Sequence, residues 1–432
     1  MKPAVTLTIR PSLACLALIA ASAAAAAAEP VTAIRAGQFI DVVSGRELAN
    51  QVILVSGGKI TAVGANLPVP AGANVIDLSG MTVLPGLVDC HTHVADLQTL
   101  EPLNWLKYSA AEVAYATIPN ASATLLSGFT TVRDVGVYRA LNDVAMRDAI
   151  AKGIIIGPRM YVAGAYVTIS QGAGAMTGVA FDIQLPRDLR FGEANGPWEV
   201  RQRVRELAHL GADHIKVLAT GAVLTHGSAP KSIEFTPEEL RAAVEEAASF
   251  GLRVAAHAHD AEGIKNAIRA GVASVEHATL IDDEGIALAK QHGTWLDMDI
   301  YDDECIQADP TAPADFLEHD RSLGEAQRQN FRKAVRAGVK MTFGTDAGVC
   351  PFGVAAKQFA FMVRYGMTPL QAIQAATVNA ADLIGHAELF GSLTPGKSAD
   401  IIAVQGNPLA DVSTLEHVSF VMKAGKVYKQ EP

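Results

Sequence analysis

Eight short apolar runs, separated by stretches of helical period, constrain this chain more than any other feature. They lie near residues 87–93, 129–134, 160–166, 214–219, 253–258, 273–277, 294–299 and 340–345. Short apolar runs bounded by turn residues read as buried strands, and the longer amphipathic stretches between them read as helices. Thr236-Pro237-Glu238-Glu239 opens one helix with a capping box and a proline at its first position, and Gly251 closes it. Residues 260–271, 282–293 and 325–338 read the same way, and each leads through a glycine (Gly271, Gly293, Gly338) to the next run. Alternation of this kind predicts a parallel sheet with helices outside it. Eight such units predict an α/β fold of the (β/α)8 TIM-barrel type, with its active site at the C-terminal strand ends. An open doubly wound sheet gathers residues mainly at one crevice and does not easily bring five strand ends to one point.

The strand ends carry residues that bind metals. The first run finishes in Asp89-Cys90-His91-Thr92-His93. Residues i and i+2 of a strand face the same way, so His91 and His93 can reach one ion. In a chain with 12 histidines one such pair is unremarkable by itself. Its meaning comes from Lys216 on the fourth run, His257 on the fifth, His277 on the sixth and Asp346 on the eighth. Each has an ordinary reading. Lys216 could pair with an acid at the barrel mouth, His277 could be a core histidine, and Asp346 could cap the following turn. His259 faces the same side as His257 and rivals it. Taken as a set, neutral imidazoles and a carboxylate suit zinc, with manganese, cobalt or iron as substitutes. A lysine desolvated inside a barrel can lose its proton.

These residues resemble the amidohydrolase superfamily. The likeness rests on Pro85-Gly86-Leu87-Val88-Asp89-x-His91-x-His93, on Lys216, on His257 and His277, and on Asp346. Leu126-Ser127-Gly128-Phe129-Thr130-Thr131-Val132-Arg133-Asp134 resembles the family's second strand, and Gly396-Lys397-Ser398-Ala399-Asp400-Ile401 its closing segment. Within the superfamily the chain is most similar to imidazolonepropionase-related dipeptidases and amidases, including prolidase-like and ochratoxin-hydrolysing enzymes. The resemblance implies two divalent metal ions, with His91 and His93 on the first and His257 and His277 on the second. It implies that Lys216 reacts with carbon dioxide and bridges both ions as a carbamate, and that Asp346 is a ligand and the proton carrier. His259 would then contact substrate, support the ligands or cap the next helix. His226, Lys231 and Tyr301 are candidates for binding a substrate carboxylate. The implied reaction is hydrolysis of the amide bond of a dipeptide or N-acyl amino acid. Where related loops carry a histidine, this chain has Ser170-Gln171-Gly172-Ala173-Gly174, whose small residues leave room for a bulkier acyl group. Two rival readings are a single-metal deaminase or imidazolone hydrolase, which lacks the strand-four lysine, and a non-catalytic barrel scaffold, which loses ligands. The resemblance also implies a homo-oligomer, as large as an octamer.

The chain has 432 residues, half of them hydrophobic, so a large barrel and a small second domain are within reach. A formal charge of −10 with no basic tract argues against nucleic acid or an anionic membrane as a partner. Lys2 and Arg10 precede an apolar run and an alanine-rich stretch to Ala28, the pattern of an export signal over 1–28. The mature protein is then periplasmic or secreted, with a small-molecule substrate and no membrane anchor. Cys15 falls in the signal. Of Cys90, Cys305 and Cys350, three cannot all pair within one chain, and a core this large needs no disulfide. Cys90, between Asp89 and His91, should face away from the metals. Residues 30–80 and the C-terminal segment both read as β-hairpins. The expected organisation is a composite β-sandwich from 29–84 and 387–432 beside a barrel over 85–386.

Overall fold

The computed structural model describes residues 3–4 and 30–431, so the expected export signal lies outside the described residues apart from Pro3 and Ala4. The two ends of the chain meet in one seven-stranded sheet. Its strands run in the order Lys426–Gln430, Val418–Lys423, Ile401–Val404, Asn74–Pro85, Thr32–Asp41, Arg46–Ser56 and Lys59–Ala65. The join is antiparallel, with Leu84 opposite Ile402. Alternating side chains give the sheet a buried face, where Ile34, Ile53, Ile76, Val83, Ile401 and Phe420 form one apolar cluster. Neither terminal segment could bury that face alone, which is why the chain returns to its start.

Gly86 links this sheet to the parallel strands. Its N–H donates to Asp400 O at 2.9 Å, and a Cβ there would sit 2.2 Å from Thr130 Oγ1. Only glycine allows that approach. The parallel strands form two ladders. One holds Leu87–Thr92, Phe129–Asp134 and Arg159–Val162; the other holds Tyr166–Val167, Ile215–Leu218, Val254–Ala258, Ser274–His277, Trp295–Asp297 and Met341–Thr342. Between the first and last of these, Cys90 N–H donates to Phe343 O at 2.8 Å and His93 N–H to Ala347 O at 2.7 Å.

Two elements differ from expectation. The third run is two strands, not one. Gly164, at φ +80°, turns the chain between them, and its N–H is held by Asp143 Oδ2 at 2.7 Å. The helix expected over 325–338 begins earlier, as Ala314–Ala337. Its added first turns bury Asp320 and Gly324 among apolar residues, and those two positions break the apolar period. The helix opened by Thr236 does form as Pro237–Ser249, with both halves of the capping box in place.

The expectation of no disulfide is corrected: Cys305 and Cys350 are joined, with Cα atoms 5.3 Å apart. Cys305 lies on the helix Asp302–Ala308 and Cys350 follows the eighth strand, so 45 residues of sequence separate a pair that the packing of these segments makes adjacent. Cys90 is buried and free. No helix among the described residues is long and apolar enough to cross a membrane.

Candidate metal centre and active site

His91, His93, Lys216, His257, His259, His277 and Asp346 all line one cavity at the C-terminal ends of the parallel strands. Its volume is about 1080 Å³, counting the solvent at its mouth. The nitrogen and oxygen donors of His91, His93 and Asp346 lie within 4.8 Å of one another, and so do those of His257, His259 and His277. The two groups are contiguous, with the His277 ring 4.9 Å from that of His91 and 4.5 Å from that of His257.

Strand geometry explains the assembly. Lys216 is in register with Tyr166 on one side and Ala255 on the other, on the strand next to the end of its ladder. His277 and Asp346 instead adopt left-handed backbone conformations, at φ +65° and +52°. Such conformations are costly outside glycine and persist where the surroundings enforce them, often at active sites. Asp89 supplies part of that enforcement. Its carboxylate accepts from His91 N at 3.1 Å, Thr345 N at 3.2 Å and Thr345 Oγ1 at 2.6 Å, tying the first strand to the turn that carries Asp346. A Cβ on Gly344 would lie 1.8 Å from Asp297 Oδ1, so that turn also requires glycine.

Electrostatics favour neutral donors. Burial pulls the Lys216 ammonium below its ordinary value, against the pull of Glu276 and Asp346. Burial, reinforced by neighbouring cationic groups, likewise holds His91, His257 and His259 well below theirs. His93 differs. Burial disfavours its protonation, but Asp346 outweighs burial and pushes it up to about 9. The same contact outweighs burial at Asp346 and keeps its carboxyl below the usual range.

The donors fit a divalent metal. Asp346 Oδ1 lies 3.0 Å from His93 Nε2 and 3.6 Å from His91 Nε2 without accepting a hydrogen bond. Lys216 Nζ is buried with no hydrogen-bond partner at all. Buried polar atoms are rarely left so, and atoms that converge without pairing are placed as ligands are. The histidines are oriented from behind, as ligating histidines are. His277 Nδ1 meets Asp299 Oδ2 at 2.7 Å, His93 Nδ1 meets Gly136 O at 2.7 Å, and His257 Nε2 meets Gly221 O at 3.1 Å. Asp299→Ala is expected to weaken metal retention by about 10–100-fold, measured by competition with a chelator.

Several partners are absent from the sequence reading. Asp299 is one. Tyr166, whose hydroxyl is 3.0 Å from His93 Nδ1, is another. Arg133 is a third: it donates to Cys90 O at 2.6 Å, Ser274 Oγ at 2.8 Å and Glu276 Oε2 at 2.7 Å, forming a buried charged layer below the ligands. A signal existed for Asp299, since Asp297 and Asp299 are two apart on an apolar run. Nothing local marked the others.

Three suggested substrate contacts lie elsewhere. Tyr301 does not reach the cavity; it begins the helix Asp302–Ala308 and packs its ring 5.2 Å from that of Phe361. The strand ends at Asp297, and the turn that follows rotates Tyr301 away from the mouth. His226 is outside the lining, held by Asp315 Oδ2 at 3.0 Å and packed on Phe316. Lys231 is exposed. His259 does line the cavity, with Nδ1 2.7 Å from Thr279 Oγ1. One wall is aromatic, from Trp105, Tyr138 and Tyr166; another is acidic, from Asp302, Asp303 and Asp320. Among the described residues no arginine lines the cavity, and Lys216 is its only lysine.

Comparison with known proteins agrees with this geometry. Residues 82–428 match the amidohydrolase family. Ochratoxinase of Aspergillus niger is 33% identical over 92% of this chain and 87% of its own length. The crystal structure of a Xaa-Pro dipeptidase with bound methionine in its active site superposes with a TM-score of 0.87 at 38% identity, covering 92% of this chain and all (100%) of that one. A prolidase complexed with N-methylphosphonate-L-proline superposes with a TM-score of 0.86 at 27% identity, over 93% of this chain and 100% of that one. These neighbours have the TIM-barrel type of fold expected from the eight runs. The chain belongs to the amidohydrolase family and is a hydrolytic enzyme acting on amide bonds.

Proposed function

We propose that the chain is a binuclear metal-dependent hydrolase that cleaves the amide bond of dipeptides or N-acyl amino acids bearing a free C-terminal carboxylate. The observation that carries this reading is the Lys216 amine, buried without a hydrogen-bond partner in a cavity lined by five histidines and Asp346. In this reading His91 and His93 would hold one ion and His257 and His277 the other, with Lys216, once carbamylated, as their shared anionic ligand. Two divalent cations, zinc in this reading, would supply an acidified water and polarise the substrate carbonyl. Asp346 takes the proton from the attacking water on a carboxylate oxygen and delivers it to the leaving nitrogen. Because His93 Nδ1 already faces a carbonyl oxygen, the Tyr166 hydroxyl proton is free to meet a substrate oxygen.

Substrate class follows from the walls. Trp105, Tyr138 and Tyr166 suit a flat or bulky acyl group. The room expected beside the Gly172-Ala173-Gly174 loop is partly filled, since a Cβ on Gly174 would meet Tyr166 Cβ at 2.7 Å. The substrate carboxylate is assigned to the His259–Thr279 side, where His259 Nδ1 and Thr279 Oγ1 lie 2.7 Å apart at the cavity lining. The test compares an N-acyl amino acid with its C-terminal amide. Loss of a charge-assisted hydrogen bond predicts a kcat/KM about 10–100-fold lower for the amide. Equal values would remove the carboxylate pocket and leave a general amidase. In the same reading the parallel ladders close into one (β/α)8 barrel over 85–386, beside a β-sandwich from 29–84 and 387–432. The mature chain is exported and assembles as a homo-oligomer.

A further inference from the structure

A second cavity opens at the opposite, N-terminal end of the parallel strands, with a volume of about 980 Å³ including its mouth. It is bordered by Arg133, Tyr161, Asp213, His214, Arg253 and the segment from Leu383 to His386. None of these residues belongs to the metal centre. His214 is 6% exposed, and neither of its ring nitrogens has a hydrogen-bond partner. A buried imidazole left so is costly, and something other than the protein must satisfy it.

The other groups around it are donors. Arg253 is anchored through Nη1, which donates to Asp382 O at 2.6 Å and Leu383 O at 2.5 Å. Its Nε and Nη2 meet no protein acceptor among the described residues. The Tyr161 ring is stacked on His386 at 4.8 Å, and its hydroxyl makes no hydrogen bond among the described residues. The charges that could neutralise this set are committed elsewhere. Asp213 Oδ2 receives Arg147 Nη1 at 2.8 Å and Val162 N at 3.0 Å. Arg133 is balanced by Glu276 at 2.7 Å, and His386 faces Glu388 at 3.2 Å. What remains, among the described residues, is an exposed guanidinium without an ion-pair partner, a hydroxyl without a hydrogen bond and a buried imidazole around a polar cavity.

We propose that this cavity is a binding site for a small oxyanion, held by Arg253, Tyr161 and His214. An oxyanion offers several acceptor lone pairs, and a guanidinium edge matches two of them at once. Arg253 is exposed beside the buried His214, so an anion entering from solvent can meet both.

The test uses the full metal-loaded enzyme. Crystals soaked in selenate are expected to show an anomalous peak between His214 and Arg253. In solution, phosphate and acetate are titrated separately, with thermal midpoint as the readout. The tighter of the two identifies the source as inorganic or carboxylate. Arg253→Gln should weaken that protection by about tenfold and abolish the peak, with metal content and turnover unchanged. His214→Phe, which fills the cavity with an apolar ring, should do the same. Ordered water alone on His214 in the wild type would overturn the proposal. So would selenate bound at the metal centre only, or protection that Arg253→Gln leaves intact.

Discussion

Lys216→Ala is expected to lose both metal occupancy and turnover. The wild-type protein should carry two equivalents of metal, and the variant none or one. The donors that converge beside Lys216 are imidazoles and the Asp346 carboxylate, and a lysine carbamate would add an anion with two oxygens to share between two cations. The neutral amine of a buried lysine can attack carbon dioxide, losing one proton to become that anion. The structure supports the first step, since Lys216 is 2% exposed, unpartnered, and pulled by burial below its ordinary pKa. Short carboxylic acids added to the variant should restore part of the activity by taking the place of the carbamate. Metal analysis with and without formate measures both claims. A variant that keeps two metals and normal turnover would remove Lys216 from the bridge. One equivalent in the wild type would instead favour the single-metal deaminase reading.

Asp346→Asn is expected to keep much of its metal and lose about 10²–10⁴-fold in kcat. The amide retains an oxygen for coordination but cannot accept a proton. Asp346 is suited to both roles. Its carboxyl is held below the usual range by His93, and it sits on a backbone turned at φ +52° toward the ligands. A conserved-volume change at this position should preserve the fold, because Thr345 and Asp89, rather than Asp346, tie the turn to the first strand. Steady-state kinetics with matched metal analysis separates loss of proton transfer from loss of a ligand. A rate within a few-fold of wild type would place the proton carrier elsewhere in the cavity.

Much of this protein was legible in its sequence because the determining features are local. Strand and helix periods need only neighbours a few residues apart. The capping box at Thr236 and the glycine after its helix are similarly short-range. His91 and His93 share a face by pleat geometry alone, and the separate residues Lys216, His257, His277 and Asp346 each end an apolar run. Their convergence in one cavity follows from a barrel's habit of presenting strand ends together.

Tertiary structure decided what depends on contacts between distant segments. The pairing of Cys305 with Cys350 is one case, because the two approach only when the seventh and eighth strand loops pack together. Tyr301 is another: its place directly after the seventh run points it toward the mouth, but the strand stops at Asp297 and the turn sends it to Phe361. The orientation of His277 by Asp299 and the charged layer of Arg133 and Glu276 also span separate strands. So does the isolation of His214, a residue that looks ordinary in the sequence and becomes significant only because no neighbour in the fold reaches its nitrogens. Periodicity reports which face a residue takes, and only the packed structure reports which partner it meets there.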